Sequence, residues 1–228
     1  MKFIAAILAS CAYANISLPQ SWKGEATQTI DCQNVSGCRK GVSTFNDYYD
    51  YPNRHRYEYT DVTNGKNQIY AFNTIDAATG CGTFYSWTVK KCCHKAMVED
   101  DGTCTNMVPI QVSKRAQDQG DVTYGDNLTG DEWESHTNLF HVHQTEDWIV
   151  TPAGAVGAWY QNIQIGESGE SYITVDVDYT NQVVGQLTDA DFAVPEGCTN
   201  TCLGSEFEEA LVGTPYQRYP QIEQVFAQ

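Results

Sequence analysis

Between residues 172 and 179 the chain alternates without a break. Ile173, Val175, Val177 and Tyr179 fall on one face, and Thr174, Asp176 and Asp178 on the other. A period of two is what a strand with one face buried and one face wet requires, and a helix cannot satisfy it. The pattern is general. Thr, Tyr, Val and Ile recur, Gly and Asn punctuate the chain, and helical periodicity is scarce. These residue types suit pleated, half-buried surfaces. The expected class is all-β, mainly antiparallel.

Strands are expected over 22–30, 42–51, 54–61 and 66–76. Pro52-Asn53 turns the second into the third, because Pro presets the turn's φ and Asn tolerates the next position. Asn64-Gly65 turns the third into the fourth, Gly supplying positive φ without steric cost. Cysteines and acidic residues interrupt 81–104, which reads as an irregular, disulfide-pinned segment. Pro109 makes 108–112 an edge strand at best. Residues 132–143 form one long strand or a pair, and 147–150, 159–165, 172–179 and 183–187 follow. The best helical candidate is short, at 206–211. Residues 214–228 carry two prolines and are expected to drape over the surface.

The first fourteen residues read as an export signal: Lys2, an apolar run from Phe3 to Ala9, and a small-x-small site at Ala12-Tyr13-Ala14. That run is shorter than the roughly 20 residues a transmembrane helix needs, and no later stretch qualifies. Residues 15–228 are expected to form a single domain, since no repeat, linker or composition shift divides them. The formal charge is −16, one more negative once Lys2 leaves. Such a surface repels nucleic acid and anionic membranes and attracts cations.

Of nine cysteines, Cys11 falls in the signal. Cys32, Cys38, Cys81, Cys92, Cys93, Cys104, Cys198 and Cys202 remain, an even set that in an exported chain implies disulfides. Cys32 and Cys38 are close enough to close a small loop, and so are Cys198 and Cys202. The adjacent Cys92 and Cys93 are expected to take different partners. No paired CxxC at finger spacing supports zinc. Sequons at Asn15, Asn34 and Asn127 mark candidate glycosylation sites, the first too near the mature terminus to weigh much.

Four segments carry a family resemblance. Tyr49-Asp50-Tyr51-Pro52-Asn53-Arg54-His55-Arg56 is an aromatic-Asp hairpin followed by Arg-x-Arg. Ile69 to Cys81 is a strand ending in a short turn and a Cys. Gly130-Asp131-Glu132-Trp133 opens a strand with a Trp. Asp189-Ala190-Asp191-Phe192-Ala193-Val194-Pro195-Glu196-Gly197-Cys198 is an acidic turn followed by Phe, Pro and Cys. In this order they resemble the ependymin-related family of extracellular proteins, with Cys81 and Cys198 at family positions. Cys92, Cys93, Cys104 and Cys202 have no counterpart in that pattern. The resemblance implies a fold like that of bacterial lipoprotein carriers: two stacked curved sheets forming a half-open sandwich around an apolar pocket. It also implies a glycosylated, often dimeric protein associated with calcium and with lipid or matrix.

Aromatic residues suit such a pocket and an ordinary core equally. The candidate lining is Tyr57, Tyr59, Ile69, Phe72, Phe84, Trp159, Ile163, Ile173 and Val175. Asp176 and Asp178 share a strand face, and Asp189 and Asp191 stand two apart in a turn. These four are the calcium candidates, although calcium takes 6–8 oxygen ligands and no EF-hand spacing is present. His141 and His143 share a strand face near His136 but lack an evident third ligand for a catalytic zinc. No nucleophile elbow, HExxH or phosphate loop occurs, which argues against an enzyme. The expected function is a secreted, non-enzymatic protein that binds a lipid or other hydrophobic molecule, with calcium as a candidate cofactor. A calcium-dependent matrix or adhesion glycoprotein without lipid is the alternative, and a secreted hydrolase comes third. An endolysosomal lumen would serve as well as the extracellular space.

Overall fold

The computed structural model describes residues 18–36, 38, 40–50, 54–61, 66–73, 81–88, 91–98, 102–104, 115–125, 127–139, 141–166, 169–185 and 187–202. The expected signal, the strand at 108–112, the helix at 206–211 and the tail at 214–228 lie outside these residues.

Among the described residues twelve strands form: β1 (Ser21–Gln33), β2 (Gly41–Asp50), β3 (Arg54–Asp61), β4 (Lys66–Asn73), β5 (Thr83–Trp87), β6 (Cys92–Ala96), β7 (Gln117–Tyr124), β8 (Leu128–Leu139), β9 (Val142–Val150), β10 (Val156–Ile165), β11 (Ser171–Val184) and β12 (Asn200–Thr201). The ladder is continuous in the order β12-β6-β5-β4-β3-β2-β1-β11-β10-β9-β8-β7. Two antiparallel meanders are therefore joined at the centre, where β1 pairs β11 over most of their length. The short β12 alone pairs in parallel.

Strand twist accumulates by about 20° per neighbour, so a sheet this wide curls rather than lying flat. Both meanders bury the same face. Phe84, Cys93 and Met97 of the first half belong to one core with Val142, Trp148 and Trp159 of the second. The two expected curved layers are the halves of this single sheet, a half-open sandwich with a shared interior.

Several strand assignments change. The segment 81–104 contains β5 and β6. The burial of Thr83, Phe84, Ser86 and Trp87 leaves β5 without the polar alternation that would reveal a strand. The hydrophilic β7 offered little apolar signal, only Val122 and Tyr124 at its end. Residues 132–143 divide into β8 and β9, and 183–187 begins as the end of β11.

Disulfides join Cys32 to Cys38, Cys81 to Cys104, Cys92 to Cys198 and Cys93 to Cys202. The expected short loop between Cys198 and Cys202 does not form. Cys92 and Cys93 are consecutive on a strand and point to opposite faces, so each draws its own partner from the 198–202 segment. Cys81 and Cys198 likewise take separate partners, Cys104 and Cys92.

Candidate functional site

The interior is built in rows. On β9 the inward positions are Val142, Gln144, Glu146, Trp148 and Val150, and β8 and β10 hold them in register. Trp148 stands opposite Trp133 on one side and Trp159 on the other. Three tryptophans thus form one row across three strands. The next row is Ser135, Glu146 and Gln161. Trp148 and Trp159 are buried with ring centroids 5.9 Å apart, and Trp133 is half-buried against the same core.

Glu146 is the polar centre of this half. Its Oε1 accepts the indole N–H of Trp159 at 2.8 Å. Burial raises its carboxyl above the usual range, and the indoles of Trp159 and Trp148 act in the opposite direction. Ser135, Gln144 and Gln161 add neutral hydrogen-bonding groups to the adjoining rows. A mostly aromatic surface with a few convergent polar groups is what ligand sites use.

The other half holds a second polar chain. Asp47 on β2 and His55 on β3 face inward among Phe45, Tyr49 and Tyr57, and both are essentially inaccessible. His55 Nε2 lies 2.6 Å from Asp47 Oδ1, and His55 Nδ1 lies 3.2 Å from the Tyr57 hydroxyl. Tyr179 on β11 donates to Asp47 Oδ2 at 2.9 Å. With Asp47 ionised, Nε2 carries the imidazole proton and Nδ1 accepts from Tyr57. Both carboxylate oxygens and both ring nitrogens are engaged, so the chain satisfies itself instead of presenting free groups. Sequence reading missed it, although a signal existed. Asp47 interrupts the inward series Phe45, Tyr49, and His55 begins the inward series Tyr57, Tyr59.

Tyr57, Phe84, Trp159, Ile163, Ile173 and Val175 are buried in the common core, and Tyr59 packs against it. The side chains of Ile69 and Phe72 lie outside the described residues. Of these core residues, Trp159 hydrogen-bonds Glu146.

The acidic candidates separate into two settings. Asp178 accepts from the Tyr160 hydroxyl at 2.7 Å on the outer face. Burial, with Asp178 adding to it, raises the carboxyl of Asp176. Asp189 and Asp191 belong to a 3-10 turn, Asp189–Phe192. Arg54 reaches Asp189 Oδ1 at 2.7 Å while gripping Asp50 through Nε and Nη2. Its guanidinium also lies 4.4 Å from the Phe192 ring centroid. Arg56 donates to the Asp191 carbonyl at 2.8 Å. Hydrogen bonds from Thr188 hold the Asp191 carboxyl below its usual range. The Arg-x-Arg hairpin and the closing acidic turn thus clasp each other.

His143 pairs with Asn138 at 2.7 Å, and His136 with Glu134 at 2.8 Å. His141 sits at an exposed turn before β9. Among the described residues, no three His, Cys, Asp or Glu side chains converge as a metal site would need. Asn34 and Asn127 are exposed and have positive φ, and the Asn34 side-chain nitrogen donates to the Glu170 carbonyl at 3.1 Å.

The described residues therefore define an antiparallel β protein with an aromatic, sparsely polar interior. Its fold is similar to that of a LolA-superfamily protein from Nitrosomonas europaea, at 9% identity and a TM-score of 0.38, covering 78% of this chain and 93% of that one. LprF from Mycobacterium bovis matches at 10% identity and a TM-score of 0.38, over 76% and 90% of the two chains. A DUF1329-family protein from Desulfovibrio piger matches at 10% identity and a TM-score of 0.36, over 78% and 91%. No protein-family model and no curated protein sequence matches the chain. Among the described residues, no helix is long and apolar enough to cross a membrane.

Proposed function

We propose that this is an exported, ependymin-like binding protein that holds a hydrophobic or amphiphilic molecule, a lipid in the simplest case, against the inner face of its curved sheet. The observation that carries this reading is the row Trp133, Trp148, Trp159 with Glu146 beside it. An ordinary core has no need of a carboxyl group among tryptophans, because burying it costs free energy that an apolar side chain would not. A site for an amphiphile needs both, apolar area for the chain and a polar group to fix the head. The four disulfides fit an oxidising, extracellular or lumenal setting. Binding rather than catalysis is the role we assign, since the buried Asp47–His55 pair is closed on itself.

The test is mass spectrometry of an organic extract of the protein, secreted from a eukaryotic host and purified without detergent. It is paired with tryptophan fluorescence on adding a long-chain amphiphile. The expected result is a stoichiometric lipid in the extract, or saturable quenching that Trp159→Leu weakens. A clean extract together with no quenching would overturn the reading and shift weight to calcium-dependent adhesion.

A further inference from the structure

The polar head that Glu146 would meet can be argued from its surroundings. Glu146 is half-buried on the inner face. Among the described residues no lysine, arginine or histidine forms an ion pair with it. The N–H of Trp159 donates to it at 2.8 Å and the Trp148 indole also favours its ionised form, and even two donors on two carboxylate oxygens leave acceptor capacity unused. Asp47, a carboxylate on the inner face of the other half, differs in having His55 and Tyr179 on its two oxygens. Partly buried carboxylates are ordinarily paired with a cation. Here the neighbouring groups are indoles, whose faces also attract positive charge.

We infer that the row Trp133, Trp148, Trp159 and the carboxylate of Glu146 form a subsite for a cationic head group of the quaternary ammonium type. This rests on the carrier reading above. A quaternary ammonium needs no hydrogen-bond acceptor. It gains from a carboxylate at short range and from aromatic faces, and it loses little water on entry. An anionic head would meet a carboxylate and the negative faces of the rings, with no described cation beside them. Of the two classes, the cation fits.

The experiment uses the full-length secreted protein and three probes with the same fourteen-carbon chain, each below its micellar concentration: tetradecyltrimethylammonium, tetradecanoate and tetradecanol. Affinities are read by titration calorimetry. The expected order places the ammonium probe about tenfold tighter than the other two, within the range of a desolvated cation–aromatic contact. Glu146→Gln, with its near-ultraviolet dichroism unchanged, should bring the ammonium probe to the affinity of tetradecanol. The preference is measured on the unaltered protein, so the inference stays testable if the variant fails to fold. Equal affinity for the three probes, or a preference for tetradecanoate, overturns the cationic subsite and leaves the carrier. A preference unchanged in Glu146→Gln also removes the subsite. If none of the three binds, the carrier reading falls and the subsite with it.

Discussion

The hydroxyl of Tyr179 on β11 donates to Oδ2 of Asp47 on β2 across 2.9 Å, passing over the strand that separates them. The reach depends on what β1 places beneath it. Ala26 lies opposite both Tyr179 and Phe45, and Gly24 lies opposite Asp47, so small residues leave the phenol room to cross. Tyr179→Phe keeps the ring and leaves a buried carboxylate oxygen without its donor. The expected cost is about 1.5–3 kcal/mol, the range for a hydrogen bond to a charged group. Urea unfolding measures it, and a loss below about 0.5 kcal/mol, smaller than any typical buried hydrogen bond, would show that the bond contributes nothing.

Arg54 binds Asp50, Asp189 and the Phe192 ring at once, and so holds the 3-10 turn against β3. Arg54→Ala should free that turn and raise amide exchange across residues 188–193, with a global loss of about 1 kcal/mol. Arg54→Lys should restore little, because a lysine ammonium cannot reproduce the forked contact with Asp50. Exchange unchanged in both variants would mean the turn is held by other contacts.

Burial first, then the charges of Glu134 and Glu132, push the Asp147 carboxyl up to about 6. Glu134 is its direct cross-strand neighbour. A raised carboxylate favours the protonated form in the folded state. The folded protein therefore holds more proton than the unfolded chain between about pH 4 and 6, and this group's contribution to stability falls as pH rises through that window. Asp147→Asn should raise the urea midpoint at pH 7.5 and leave it nearly unchanged at pH 4. The opposite ordering would sink the assignment.

Gly157 is buried where β10 shifts register beside β9. A Cβ there would overlap Oη and Cζ of Tyr124. Gly157→Ala should cost about 1–3 kcal/mol through overpacking. In a Tyr124→Ala background the same change should cost far less, because the obstructing ring is gone. Additive losses in that double-mutant cycle would place the strain elsewhere.

What could be read from the sequence follows from how local each signal is. The Tyr172–Tyr179 alternation and the Pro52-Asn53 turn are set by neighbouring residues, and β11, β2 and β3 lie close to where those signals put them. The β5 strand was hidden because a strand buried on both faces has no alternation. The β7 strand was hidden because an edge strand of Gln, Asp and Gly has little apolar content. Cysteine partners depend on which segment is folded beside which, as the pairing of Cys92 and Cys93 with Cys198 and Cys202 shows. Trp159 was among the expected lining residues, yet Glu146 was not. Their association depends on the register of β9 against β10, which the composition of neither strand reveals.

The clamp formed by Cys92–Cys198 and Cys93–Cys202 governs more than the stability of one molecule. It fastens β12 along β6, where Asn200 and Thr201 pair with Cys93 and His94. It thereby covers backbone groups that would otherwise be open to another chain's strand. The opposite border, β7, has no such cover among the described residues and carries Asp118, Asp121 and the positive-φ Gly120, which discourage pairing. One border is guarded by charge, which persists in any redox state, and the other by sulfur, which does not. In a thiol-rich compartment β6 loses its cover, and the hazard becomes strand-by-strand polymerisation rather than simple unfolding.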